Sequence, residues 1–147
     1  MNRKILDTLL ALVGACTFIP GLLEILFGLT GETYTWAILS FGGDYDLWRG
    51  LILVASGSLF FFTINQPISV QKRAQAVLAS AMIWIVGGIE ILSTVLNSIP
   101  GGEGSWFNTT SEFLSYYTGP FTPSLLLLPV SLVLVILVSS VEVKNDS

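Results

Sequence analysis

The stretch Phe18-Ile19-Pro20-Gly21-Leu22-Leu23-Glu24-Ile25-Leu26 decides the reading of this chain. It lies inside an apolar run over residues 5–29. A hydrocarbon core of about 30 Å takes about 20 residues of helix, so that run is long enough to cross it. Three further runs, at residues 47–64, 74–97 and 122–140, meet or approach the same length. Lipid offers the backbone no hydrogen-bond partner, so each run must satisfy its own amides, and a helix does so. The expected fold is an all-α polytopic membrane protein: a four-transmembrane-helix bundle forming a single membrane domain over residues 1–147, with long loops at 30–46 and 98–121.

Composition agrees. Hydrophobic residues make up 52% of the 147 and charged residues 11%, and mean hydropathy is +0.78. A soluble domain carries roughly a quarter of its residues charged. Six Lys+Arg against ten Asp+Glu leave a formal charge of −4, which excludes the basic surface that nucleic acid requires. There is no histidine and one cysteine, which removes His-ligated metals, a CxxC redox pair and an internal disulfide. No cofactor is expected. Val13-Gly14-Ala15-Cys16 loosely resembles a lipoprotein processing site. Against that reading, Asp7 interrupts the would-be signal segment and the hydrophobicity continues past Cys16, so Cys16 reads as a small packing residue in the membrane.

Basic residues set the orientation. Arg3, Lys4, Lys72, Arg73 and Lys144 fall on one side of a four-span arrangement and Arg49 on the other. The excess of Lys and Arg marks the cytoplasmic side, so both termini are expected to be cytoplasmic and the protein to lie in the cell membrane. The two long loops then face outward. They carry Glu32, Asp44, Asp46, Glu103 and Glu112, and an aromatic belt that includes Trp36, Trp48 and Trp106 lies on the same side. The outer loop over 98–121 also holds a glycine-rich stretch, an Asn108-Thr109-Thr110 sequon and a segment near 113–117 with the pattern of a short interfacial helix.

Span one has an echo. Trp84-Ile85-Val86-Gly87-Gly88-Ile89-Glu90-Ile91-Leu92 repeats the opening stretch at an offset of 66, with Ile, Gly, Glu, Ile and Leu in register. Residues spaced three and four apart share one side of a helix. In span one that stripe reads Asp7, Leu10, Gly14, Thr17, Gly21, Glu24, Gly28; in span three it reads Arg73, Ala76, Ser80, Ile83, Gly87, Glu90, Thr94. Small residues let helices approach and polar ones avoid lipid, so both stripes should face inward. The simplest account is two tandem helical hairpins, each delivering one glutamate to the interior.

Those glutamates are the strongest chemical signal. A carboxylate in hydrocarbon costs at least about 2.5 kcal/mol, so it lines a polar cavity, pairs with a cation or takes up a proton. Arg49 enters span two at the same outer level as Glu24 and Glu90, with Asp46 three residues earlier on the same face. Glu24, Arg49, Glu90 and Asp46 are therefore the candidate site, either as a buried ion pair that fixes helix register or as a ligand-binding pocket open to the outside. No nucleophile–base pair is present, and no catalytic or metal-ligating set can be assembled.

The layout resembles the DoxX-like family of small four-helix membrane proteins. The resembling features are Gly21-Leu22-Leu23-Glu24-Ile25-Leu26-Phe27-Gly28 closing the first helix, the Gly- and Ser-bearing second helix over Arg49 to Phe62, the basic turn Lys72-Arg73, and Trp106-Phe107-Asn108 ahead of an aliphatic fourth helix. Many members have a lysine where Glu24 stands. The resemblance implies association with membrane redox complexes. Two functions are expected from the whole reading: an accessory or structural subunit of a larger membrane assembly, with other membrane subunits or a second copy as partners, and, alternatively, a protein that binds a small molecule or protons in an outward-facing polar pocket.

Overall fold

The computed structural model describes residues 3–42, 45–64, 67, 70–97 and 117–143. The helices are α1 (Arg3–Thr30), α2 (Asp46–Ile64), α3 (Val70–Asn97) and α4 (Pro123–Val143). Three of them contain spans long and apolar enough to cross a membrane, over Lys4–Thr30, Asp46–Ile64 and Val70–Leu96. The apolar part of α4, Pro123–Ser139, is shorter. The helices pack in a ring, α1 on α2, α2 on α3, α3 on α4 and α4 back on α1.

The interior combines an apolar core, with Leu10, Leu53, Phe60 and Ile83 at its centre, and buried polar side chains. Thr17, Glu24, Asp46, Arg49, Ser56 and Ser80 are buried, while Leu12, Ile19, Leu26, Phe62, Ile85 and Ile136 are exposed on the outer faces. Such a surface is stable against lipid and not against water. Both polar stripes turn inward: Leu10, Gly14, Thr17, Gly21 and Glu24 on α1 and Ala76, Ser80, Ile83 and Gly87 on α3 are all buried. Cys16 departs from its expected role, because it lies on the exposed side of α1 and packs nothing inside the bundle.

The ends of the helices follow local chemistry. α1 stops at Gly31, whose φ of 70° suits glycine and whose N–H donates to Phe27 O at 2.9 Å. α4 begins at Pro123, where the missing N–H costs nothing, preceded by Thr122, whose carbonyl accepts from Leu125 N at 3.2 Å. α3 starts at Val70, four residues before the expected boundary, so Lys72 and Arg73 are helical and not part of a turn. From the first turn the long Lys72 side chain reaches the Asp7 carboxylate, which hydropathy alone cannot register.

The loop over 30–46 is not wholly irregular, which corrects the all-α expectation. It holds a β-hairpin, β1 (Tyr34–Trp36) against β2 (Leu39–Phe41), with Trp36 paired to Leu39 across a two-residue turn. Tyr-Thr-Trp and Leu-Ser-Phe favour extended backbone. The turn lacks the Asn-Gly signal that would have revealed it, and Ala37 takes the positive φ of 53° instead. The ring of Phe27 stacks on Tyr34 at 5.5 Å and meets Phe41 at 6.0 Å, which ties the hairpin to the end of α1. Phe121 closes the other side: its N–H donates to Ile38 O at 2.7 Å and its carbonyl accepts from Ser40 N at 2.9 Å. The hairpin and the residue before Thr122 thus form one polar-backbone cap over the bundle. The glycine-rich stretch, the sequon and most of the expected interfacial helix of the second loop lie outside the described residues.

Candidate functional site

Beneath that cap the guanidinium of Arg49 is the hub. Its Nε donates to Glu24 Oε1 at 2.8 Å and its Nη1 to Glu90 Oε1 at 2.5 Å, while Nη2 donates to Asp46 Oδ1. The three carboxylates come from α1, α2 and α3, so one side chain ties three helices together. Residues 46 and 49 are neighbours on one face of α2 by their spacing of three. Glu24 reaches them because α1 and α2 touch almost backbone to backbone. A Cβ on Gly21 would stand 2.8 Å from Val54 N, and one on Gly50 would stand 2.7 Å from Gly21 O. That approach, possible only without side chains, brings the Glu24 carboxylate within reach of Arg49.

Burial is uneven. Glu24 and Asp46 are fully buried and Arg49 is 7% exposed, whereas Glu90 is 27% exposed. Three carboxylates against one guanidinium give −3 + 1, a formal charge of −2. Glu24 Oε2 and Asp46 Oδ2 are buried with no hydrogen-bond partner. An ion pair away from water is sustained when the remaining lone pairs are satisfied, and here two are not. Among the described residues no group of three or more His, Cys, Asp or Glu side chains is arranged to hold a metal ion, since Arg49 occupies the centre between the carboxylates.

Two cavities meet at Glu90. One, of about 480 Å³, lies between α2 and α3 and is lined by Tyr45, Asp46, Trp48, Arg49, Val86 and Ile89 among others. The second, of about 330 Å³, lies on the α4 side under Tyr117 and Phe121. Thr122 and Glu90 line both. The volumes are those of small-molecule sites, which are mostly apolar with a few placed polar groups.

The chain matches no family model, no curated protein and no solved structure.

All four residues singled out from the sequence, Glu24, Arg49, Glu90 and Asp46, are brought together, with Asp46 a full partner and not a peripheral one. A second ion pair went unread. Lys72 Nζ, in the first turn of α3 and 2% exposed, donates to Asp7 Oδ1 at 2.5 Å, joining α1 to α3 at the opposite end of the bundle. The signal for it was the position of Asp7 on the inward stripe. The cavity walls contributed by Tyr45 and Trp48 carried no sequence signal beyond their aromatic character, because their neighbours come from α3.

Proposed function

We propose that this chain is a four-span membrane protein of the cell membrane, termini cytoplasmic, that binds a small molecule or protons in a polar pocket at its outer end, formed by Glu24, Arg49, Glu90 and Asp46. The observation that carries the reading is the combination of excess negative charge with adjoining cavities. A register-fixing ion pair needs matched charges and full hydrogen bonding; this cluster has a surplus of two carboxylates, two unpartnered carboxylate oxygens, and a glutamate shared by two cavities. The aliphatic α4 and the ring of helices suit the DoxX-like layout, which we retain as a proposed kinship of architecture.

A second reading, an accessory subunit of a larger membrane complex, is favoured by one feature. Tyr34, Trp36, Ile38, Tyr45 and Trp48 expose apolar and aromatic surface around the cap, enough for a protein neighbour.

Gentle extraction of the native protein followed by mass analysis under non-denaturing conditions separates the two. A small-molecule adduct on the wild type that is missing from Glu90→Gln supports the pocket. A stable complex with a different protein, indifferent to Glu90→Gln, supports the subunit role. A bare chain in both preparations refutes both.

A further inference from the structure

We infer that the cavity between α2 and α3 takes a small organic ammonium compound, with its cationic head between Asp46 and Glu90 and against the rings of Tyr45 and Trp48. The inference rests on the pocket reading and names its ligand class.

Charge comes first. The cluster is formally −2, and Arg49 has spent a donor on each of three carboxylates, so its positive charge is already opposed from three sides. An entering anion meets net repulsion; an entering cation meets attraction, strengthened by the low dielectric of the membrane interior. The second observation is independent of net charge. Asp46 lines this cavity, is fully buried, and has one carboxylate oxygen with no hydrogen-bond partner. A buried orphan acceptor costs roughly 1–3 kcal/mol, more when charged, and the positive charge of a cation in the adjoining cavity lowers that cost.

The walls then select among cations. Ile52, Val86 and Ile89 give the cavity an apolar wall, which offers a hard metal ion nothing, and the Arg49 guanidinium already lies between the carboxylates that would ligate one. They do suit methyl and methylene groups. Trp48 and Tyr45 are largely exposed, so their faces are available to a ligand, and aromatic faces beside carboxylates are the arrangement that holds alkylated ammonium groups. A volume of about 480 Å³ accommodates such a head together with a short hydrocarbon or aryl tail.

The test is calorimetric titration of the full chain in lipid nanodiscs, with empty nanodiscs as the reference, using three probes of similar size: benzyltrimethylammonium, neutral N,N-dimethylbenzamide and anionic benzenesulfonate. Saturable binding of the ammonium probe alone is the expected result. Glu90→Gln and Trp48→Leu, each checked for unchanged helicity, should weaken it by about tenfold or more, the scale of one charge-assisted or cation–π contact. The Trp48 side chain is exposed, so its variant tests binding without disturbing the core. Equal binding of the neutral or anionic probe overturns the ammonium assignment and leaves the pocket reading standing. Ammonium binding untouched by both variants places the site elsewhere and overturns it too. Silence from all three probes overturns it as well, and the co-purification experiment then judges the pocket reading separately.

Discussion

The two helical hairpins are built on similar inward stripes and pack in different ways. α1 and α2 meet through glycines at a spacing of seven, with Gly14, Gly21 and Gly28 on one helix and Gly50 and Gly57 on the other. At Gly21, Gly28, Gly50 and Gly57 an added Cβ would come within 3.0 Å of the opposing backbone. α3 and α4 meet through side chains instead. Gly87 faces the Leu128 side chain, Gly88 faces open space, and Trp84 Nε1 donates to Ser131 Oγ at 2.9 Å. Close backbone approach has no rotamer by which to relax, whereas a leucine can turn aside. The fully buried members of the charged cluster sit on the tight pair, and Glu90, which borders the cavities, sits on the looser one. One pair thus fixes the site and the other opens it.

Four substitutions probe that contrast, each measured as the unfolding free energy of the purified protein in mixed micelles. Arg49→Met removes the hub and leaves two buried carboxylates, Glu24 and Asp46, and the half-buried Glu90 without their cation; the expected loss is about 3–5 kcal/mol. If Arg49→Met is tolerated, the cluster is not what joins α1, α2 and α3. Gly50→Ala drives a methyl against the Gly21 carbonyl, and about 2–3 kcal/mol should be lost. The same change at Gly87 on the looser pair should cost about 1 kcal/mol, because Leu128 can move. Equal costs at Gly50 and Gly87 would erase the distinction between the pairs. Gly88→Ala, pointing into open space, should fall within about 0.5 kcal/mol of the wild type or stabilise it slightly through helix propensity.

Much of this was legible beforehand for a definite reason. Membrane helices announce themselves because hydrocarbon penalises every exposed polar group, so long apolar runs have few interpretations. The stripe that carries Glu24 could be read because helical periodicity places Gly14, Thr17, Gly21 and Glu24 on one side. Arg49 was the natural partner because it was the lone cation at that level, and Asp46 followed from its spacing to Arg49. The cap was not legible. Its strands are three residues each, its turn residue Ala37 has no preference for positive φ, and its closing partner Phe121 is 80 residues beyond Phe41 in the chain.

Local rules therefore reached as far as helices, their polar faces and the residue types that would meet. They could not reach what depends on the distance between faces. That α1 and α2 touch through backbone while α3 and α4 touch through side chains follows from which glycine meets which opposing atom, a matter of register between helices that periodicity leaves open. The same register puts Asp7 beside Lys72, and Asp46 at the edge of a cavity whose far wall is Val86 and Ile89. Side-chain periodicity is a property of one helix at a time; contact and cavity are properties of two, and they exist only once the chain has folded back on itself.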